Sequence, residues 1–600
     1  MTLNHQHLRK LPVIVILLLT LFNCTQTVEN SNKALQLLAG EKLHSLLDSD
    51  WQRYVENYPE MASYLGDNRF NAKWSDLSLT AIAEQHQQDK AVLAKLKGID
   101  YQALSASDKV NYDLFKWQVQ ASINEYEFSP YLTPVTQRDG VQSIDTFAQF
   151  IPFNTVQDYQ NWLKRLKALP TLISQVTALM KEGMKRGVMP PKITMSRVPA
   201  QIQKQLVNQA EKSLFFSKFS NYPENFSLSD QQVLTEQALQ VIKNDVIPAY
   251  QAFYNFFKDE YLPACRDTVG LSALPQGKAY YQHLINYHTT TQLTPDEIHN
   301  IGLKEVARNK AEMDKVIQEV KFKGSFAEFL TFLRTDPQFY YQTPEALLEA
   351  YQAISKRLDP QLPKLFGKLP RMPYGVIPIP SSMAPDTTTA YYSGPSLDGT
   401  RAGYYYVNLY QPQTRPKYEM EVLSVHEGVP GHHLQIALQM ELGELPNFRR
   451  YRDFTVFTEG WGLYSERLGY DMGLYKDPYS RFGQLTYDMW RAVRLVVDTG
   501  MHYKGWSRQQ AIDYFTSNAA KSKEDIINEV DRYISMPGQA LAYKIGQLKI
   551  LELRDKAEKS LGDKFDIRSF HDMVLGSGSI PLNVLEENTN KWIESQQKVH

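Results

Sequence analysis

The chain of 600 residues carries 65 basic and 66 acidic side chains, and 43% of its residues are hydrophobic. This balance leaves no surplus of positive charge to neutralise a nucleic-acid backbone, so we expect no nucleic-acid partner. The length is sufficient for a large buried core, in one domain or two lobes. Only two cysteines occur, and one of them lies in the N-terminal targeting segment. Packing, not an intramolecular disulfide, is therefore expected to stabilise the fold.

The N-terminal segment predicts export. Arg9 and Lys10 precede an apolar run of twelve residues, 11–22, which is shorter than the roughly twenty residues of a bilayer span and is typical of a signal peptide. Cys24 follows in a context that resembles a bacterial lipoprotein cleavage box, although the residues before it are not small. We therefore expect a signal peptide over residues 1–24 and a mature protein in the periplasm or cell envelope. Its only contact with the membrane would be a lipid on Cys24.

Most of the mature chain, residues 25–600, has the pattern of helices and shows no linker that would divide it into domains. Between Val156 and Met180 apolar residues recur every three or four positions, which is the helical period. Pro170 is expected to kink or divide this stretch. Four capping boxes predict further helix starts. They are Ser229 with Gln232, Thr294 with Glu297, Ser325 with Glu328, and Ser507 with Gln510.

Helical periodicity disappears between Pro363 and Pro416, where prolines are frequent. Within this region the run Gly-Tyr-Tyr-Tyr-Val-Asn-Leu at residues 403–409 favours a strand. This strand would end shortly before His426. If its edge is exposed, it could hold an extended peptide by main-chain pairing, with Tyr405 as a substrate-binding residue. The alternative is a structural hairpin that covers the core.

The run His-Glu-Gly-Val-Pro-Gly-His at residues 426–432 is a candidate zinc site. The usual helical motif places two histidines four residues apart on one face, whereas His426 and His432 are six residues apart and would diverge on a regular helix. Pro430 lacks an amide hydrogen, and its ring collides with the carbonyl group of His426. The helix must therefore bulge or break, and Gly431 tolerates the unusual dihedral angles. Such a break could return the second histidine to the face of the first.

The remaining ligands are less constrained by spacing. His433 would lie about 10 Å along a straight helix from His426. His432 is therefore favoured as the second ligand, although spacing alone leaves His433 open.

Downstream, Glu459 and Glu466 lie seven residues apart and share one helical face, and buried carboxylates need a compensating cation. We predict that Glu459 completes a site for one zinc ion per chain. Glu466 would either orient a histidine ring or be a solvated charge near Arg467.

The two segments that contain the candidate ligands resemble the bacterial domain-of-unknown-function 885 family, which is grouped with the zincin metallopeptidases. They are His-Glu-Gly-Val-Pro-Gly-His-His-Leu-Gln at residues 426–435 and Thr-Glu-Gly-Trp-Gly-Leu-Tyr-Ser-Glu at residues 458–466. Residues 261–263, 293–297, 398–401 and 536–540 resemble it too, so the similarity extends over nearly the whole mature chain.

The resemblance implies a fold as well as roles for individual residues. The fold class would be all-α, in two lobes around a deep cleft as in the helical gluzincins, with a small β element before the active-site helix. The metal ligands would be His426, His432 and Glu459, and Glu427 would be the general base. The resemblance implies no substrate.

Related helical zinc peptidases also use a tyrosine or histidine far downstream to stabilise the oxyanion of the reaction. By this analogy Tyr543 and His502 are candidate catalytic residues. Arg491 and Arg494 are candidates for binding a substrate carboxylate, because the guanidinium group suits that geometry. For at least one of these arginines, an ordinary ion pair is the alternative.

Together these residues predict a zinc-dependent hydrolase of short peptides. Zinc-bound water, deprotonated by Glu427, would attack the peptide carbonyl group. One alternative is a zinc hydrolase of a non-peptide amide. Another is an exported binding lipoprotein without turnover, which would have no need of a base such as Glu427. The sequence leaves open the preferred residues, endo- or exo-cleavage, and the oligomeric state.

Overall fold

The computed structural model describes residues 35–598 with the exception of 382–383, 385–387, 396–400, 444 and 452. The predicted signal peptide and Cys24 lie outside the described residues, and so does most of the 398–401 segment. Among the helices that are described, none is both long and apolar enough to cross a bilayer.

The fold is mainly helical, as the sequence predicts. Its first helix, α1, covers residues 35–57. The longer helices that follow are α2 (Leu79–Lys97), α3 (Ala106–Tyr126), α4 (Val156–Arg186), α5 (Leu228–Val241), α6 (Ile247–Phe256), α7 (Gly277–Thr289), α8 (Pro295–Glu319), α9 (Phe326–Thr335), α10 (Pro344–Leu358), α11 (Met420–Glu427), α12 (His432–Met440), α13 (Thr455–Asp471), α14 (Pro478–His502), α15 (Arg508–Asn518), α16 (Lys523–Ser535), α17 (Ala542–Leu561), α18 (Ile567–Leu575) and α19 (Leu582–Lys598). Shorter helices cover Pro59–Tyr64, Lys192–Met195, Val198–Gln203, Leu262–Ala264, Leu362–Leu365 and Asn447–Arg450.

The starts of several helices follow directly from local sequence. The capping boxes predicted at the N-termini of α8, α9 and α15 are confirmed, each with reciprocal hydrogen bonds between side chains and main chain. The box predicted at Ser229 is wrong, because the amide of Asp230 donates to the hydroxyl group of Ser227, which caps α5. The predicted helix from Val156 is confirmed by α4, which continues past Pro170 without division.

A three-stranded sheet precedes α11. Strands β1 (Tyr374–Pro378), β2 (Ala390–Ser393) and β3 (Gly403–Val407) lie in the order β1-β3-β2. β3 pairs in parallel with β1 and antiparallel with β2. The predicted strand is therefore confirmed. It is the central strand, however, so the prediction of an exposed edge for peptide pairing is wrong.

Tyr405 lies on the buried face of β3, where alternate residues are enclosed. Its side chain is 0% exposed, and its ring meets the ring of Tyr351 on α10 edge-on at a centroid distance of 5.8 Å. A ring enclosed between sheet and helix cannot contact a bound peptide. This burial contradicts the prediction that Tyr405 binds substrate.

Helix α13 contacts α11, α12 and α17. It crosses α17 where two glycines touch, since a Cβ atom on Gly460 would lie only 2.6 Å from the Cα atom of Gly546. The absence of side chains allows the two backbones to approach closely. This crossing sets Glu459 of α13 beside the junction of α11 and α12 and near the first turn of α17.

Candidate metal centre

The segment between α11 and α12 breaks the helix, as Pro430 and Gly431 predict. The Val429–Pro430 peptide bond is cis, and the amide group of Gly431 donates to the carbonyl oxygen of Val425 at 3.0 Å. A Cβ atom at Gly431 would lie 2.0 Å from the carbonyl oxygen of His426, so only glycine fits there. The break turns His432 towards His426, and their ring centroids lie 4.6 Å apart.

The three residues predicted as ligands lie together. Glu459 Oε2 is 3.5 Å from His426 Nε2 and 3.6 Å from His432 Nε2, and the three donor atoms all lie within 4.8 Å of one another. Gly462 lies on the same face of α13 as Glu459, and its lack of a side chain leaves space for the ring of His426. A Cβ atom there would lie 2.7 Å from His426 Cε1.

This arrangement fits a zinc ion. Ligand distances of about 2.0–2.2 Å in a tetrahedron separate neighbouring donor atoms by about 3.4 Å, close to the two distances from Glu459. Two imidazole nitrogens and a carboxylate oxygen are also a common ligand set for zinc. Glu459 Oε2 is buried, and its nearest polar neighbours are the Nε2 atoms of the two histidines. A buried charge of this kind needs a cation.

Glu466 is 0% exposed and lies behind the first histidine. Its Oε1 atom is 2.9 Å from His426 Nδ1 and 3.6 Å from Arg491 Nη2. The alternative of a solvated charge is therefore wrong. A carboxylate at this position fixes the ring orientation and keeps the proton on Nδ1, which leaves the Nε2 lone pair for a metal.

The charged groups of this cluster shift one another's pKa values. Burial lowers the pKa of His426, but hydrogen bonds to Glu459 and Glu466 outweigh burial and raise it to about 9. Burial opposes the charge of Glu459, yet the two histidines hold the pKa of its carboxyl group well below the ordinary range. A metal would bind the unprotonated Nε2 atom of His426, so it would compete with a proton for that atom.

His433 is turned away from the cluster. Its Nδ1 atom lies 2.9 Å from the hydroxyl group of Tyr392, and its Nε2 atom lies 3.1 Å from the carbonyl oxygen of Met372. The ring also packs against Tyr374 at a centroid distance of 4.6 Å. Both nitrogens are engaged with the sheet region, so neither is available to a metal held by the other histidine.

Glu427 is the last residue of α11 and directly follows the first of the clustered histidines. Its side chain is largely buried. No described residue forms a hydrogen bond to its carboxylate, so both oxygens are available to water or substrate.

The two candidates for oxyanion stabilisation differ in position. Tyr543 lies in the first turn of α17, half-buried, where burial and the nearby charge of Glu459 raise its pKa. His502 is fully buried at the end of α14. Its Nδ1 atom accepts from the amide of Leu271 at 3.2 Å, and its Nε2 atom lies 3.0 Å from the carbonyl oxygen of Tyr533. Because main-chain groups occupy both nitrogens, the structure contradicts the prediction that His502 donates to substrate.

The two arginines of α14 already have partners in the protein. Arg494 donates to the hydroxyl group of Tyr533 at 2.9 Å and to Glu529 at 3.1 Å, which is the ion-pair alternative. Its guanidinium carbon also lies 4.3 Å from the ring centroid of Tyr543. Arg491 donates to the carbonyl oxygen of Tyr487 at 3.3 Å. Carboxylate binding by these arginines stays a prediction.

A cavity of about 310 Å³ lies at the start of α13, and no motif in the sequence predicts it. Thr455, one helical turn before Glu459, lines it, and so does Asp453. Phe448, Arg449 and Phe454 also line it, and the rest of its lining comes from segments distant in sequence. The one local signal was a carboxylate shortly before the segment 458–466.

The solved structures that are similar to this chain include two putative lipoproteins, whereas no curated protein matches it. The crystal structure of the putative lipoprotein from Colwellia psychrerythraea is 29% identical, with a TM-score of 0.85 over 93% of this chain and 99% of that one. The structure of a putative lipoprotein of unknown function from Shewanella oneidensis is 16% identical, with a TM-score of 0.73 over 91% of this chain and 99% of that one. This second likeness concerns the fold alone.

The family model described as "Bacterial protein of unknown function (DUF885)" matches residues 59–588. The match includes the helices that carry the histidines and glutamates of the cluster. The chain therefore belongs to the DUF885 family, as its motifs predict.

Proposed function

We propose that this chain is a zinc-dependent peptidase that hydrolyses short peptides in the cell envelope, with one zinc ion per chain. One observation carries the proposal: His426, His432 and Glu459 present three donor atoms within 4.8 Å of one another, and Glu427 adjoins them. When bound, zinc would polarise a substrate carbonyl group and acidify water.

Glu427 would act as the general base. It follows a proposed ligand directly, and no described residue occupies its carboxylate by a hydrogen bond. It can therefore take a proton from the attacking water and pass that proton to the leaving amine. A site that only stored metal would not need this carboxylate, which favours hydrolysis over the alternative of an exported binding lipoprotein.

Tyr543 would donate a hydrogen bond to the oxyanion. Burial and the charge of Glu459 raise the pKa of Tyr543, so the phenol stays protonated at neutral pH. The guanidinium group of Arg494 packs over the ring, which limits the positions the hydroxyl group can adopt.

Export is also part of the proposal. Its support is the signal-peptide pattern that ends at Cys24 and the description of the first of these similar solved structures as a putative lipoprotein. The lipid on Cys24 would be the only attachment to the membrane.

The test is a peptide-library digest with purified protein, analysed by mass spectrometry with and without a chelator. We expect cleavage that the chelator abolishes and added zinc restores. Cleavage of non-peptide amides alone would favour the other hydrolase. Binding of peptides by the zinc-loaded protein without any cleavage would favour the binding lipoprotein.

A further inference from the structure

The cavity at the start of α13 has aromatic walls. Trp117 of α3 packs against Phe454 at a centroid distance of 5.0 Å and against Tyr287 of α7 at 5.4 Å, and all three line the cavity. Its volume of about 310 Å³ is at the lower end of ligand sites, which range over about 300–1,000 Å³. Such a cavity holds one large apolar side chain and not a long peptide segment.

Two residues that line the cavity precede residues of the proposed site by four positions along the chain. Thr455 lies on the face of α13 that carries Glu459, one turn earlier. Gln539, which also lines the cavity, precedes Tyr543 by four residues. A side chain bound in the cavity would therefore belong to a residue next to the scissile bond.

Two residues with opposite charges, Asp453 and Arg449, line this cavity besides its aromatic rings. Asp453 Oδ1 accepts hydrogen bonds from the hydroxyl groups of Thr458 at 2.5 Å and Ser579 at 2.9 Å. Thr458 directly precedes Glu459, so these bonds hold Asp453 close to the proposed metal ligands. No described residue donates to the other oxygen, Oδ2. An oriented carboxylate with one unused oxygen attracts a cationic group of a ligand.

The charges near the site favour a free N-terminus over a free C-terminus as the group that is recognised. Arg494, the candidate for binding a C-terminal carboxylate, is 4% exposed and already paired with Glu529. Arg449 lines the cavity but already donates to Asn111 and to the main-chain oxygen of Ser577, whereas Asp453 lines it with an unused oxygen. The α-ammonium group of an N-terminal residue lies next to the first peptide carbonyl group, so both can reach their partners together.

We propose that this cavity binds the N-terminal residue of the substrate, with the α-ammonium group on Asp453 and a large apolar side chain against Trp117 and Phe454. This inference rests on the proposed function and makes the protein an aminopeptidase. Water breaks the first peptide bond: its oxygen joins the acyl carbon, and its protons go to the new carboxyl group and the leaving amine. The products are the free N-terminal amino acid and the shortened peptide.

Binding can be tested separately from catalysis. Isothermal titration calorimetry would compare L-phenylalanine amide with N-acetyl-L-phenylalanine amide, on metal-free and zinc-loaded protein. We expect acetylation to weaken binding by at least about tenfold, and Asp453→Asn to weaken binding of the free amine by at least about tenfold. Asp555→Asn, an exposed carboxylate of α17, is the matched control and should bind as the unmodified protein does. Equal binding of both amides, or unchanged binding by Asp453→Asn, would overturn the inference.

A digest then separates this inference from the proposed function. Loss of only the first residue, from peptides with a free N-terminal phenylalanine and not from their acetylated forms, supports both. Cleavage inside the peptide or at its C-terminus, regardless of acetylation, overturns the inference and leaves the peptidase intact. If no peptide is cleaved, the proposed function fails, and the calorimetric comparison alone decides on the cavity.

A second variant tests the cavity without changing its charge. Thr455→Trp should fill the cavity, so that removal of N-terminal phenylalanine falls by about tenfold or more while removal of N-terminal glycine is largely kept. Its melting temperature and zinc content must match those of the unmodified protein. An equal loss for both peptides in a folded, zinc-loaded variant would speak against side-chain recognition here.

Discussion

His432 and His433 are adjacent in sequence but face different parts of the protein. His432 Nε2 lies 3.6 Å from Glu459, whereas both nitrogens of His433 are engaged by Tyr392 and Met372. We therefore expect His432→Ala to abolish stoichiometric zinc, because it removes a ligand. His433→Ala should keep most of the zinc and cost about 1–3 kcal/mol of stability, because buried partners lose their hydrogen bonds.

Elemental analysis of the two purified variants checks this prediction, with thermal unfolding as the control for stability. The reverse result, with zinc lost only from His433→Ala, would mean that the helix break orients the two rings differently from this structure.

Glu427 can be tested without changing the shape of the site. Glu427→Gln keeps the size of the side chain and removes the base, so hydrolysis should fall by about two orders of magnitude or more. Zinc content and peptide binding should persist, because the residue is not a proposed ligand. The measurement is turnover alongside calorimetric binding of a slowly cleaved peptide. Unchanged turnover would exclude Glu427 as the base.

The cluster of three candidate ligands could be predicted because most of the sequence features that define it lie within a few residues of one another. The break between His426 and His432 follows from Pro430 and Gly431, which act on the same helical turn. The surroundings of His502 could not be predicted in this way. Its partners, Leu271 and Tyr533, come from distant segments, and only tertiary packing brings them together.

The same distinction holds for whole elements. Capping boxes and the period of α4 are short-range signals, and nearly all of them are confirmed. The sheet is different, since strand order depends on which segments meet in three dimensions. Residues 403–407 form a strand as their composition predicts, but β1 and β2 cover both of its edges. Composition alone cannot distinguish a central strand from an edge strand.

The crossing of α13 and α17 gives a prediction at the level of elements. A Cβ atom at Gly546 would lie 1.9 Å from the carbonyl oxygen of Val456 and 2.8 Å from the Cα atom of Gly460. Gly546→Ala should therefore push the helices apart and cost about 1–3 kcal/mol. Because Glu459 adjoins the crossing, zinc affinity should fall too.

Thermal unfolding and zinc titration would measure both effects. The matched control is Gly443→Ala, since a Cβ atom at Gly443 meets nothing within 4 Å, and it should change neither quantity. A Gly546→Ala variant with unchanged stability and zinc affinity would contradict the close contact of α13 and α17.

At the level of the whole molecule, the proposed catalytic parts and the proposed membrane attachment lie in separate segments. The zinc site and the cavity are built from residues that follow position 113, whereas the predicted lipid lies at Cys24. We expect attachment to depend on the proposed lipid at Cys24 and hydrolysis to be independent of it.

Cys24→Ser tests this separation. Burial of acyl chains stabilises membrane binding by about 0.8 kcal/mol for each CH₂ group, so loss of the lipidated cysteine should release the protein from the membrane fraction. Hydrolysis in detergent extracts should stay the same, because no residue of the proposed site is altered. Fractionation, mass spectrometry of the mature N-terminus and a peptide assay would measure the outcome. A mature N-terminus downstream of Cys24 in the unmodified protein would show an ordinary secretory signal peptide in place of a lipoprotein signal.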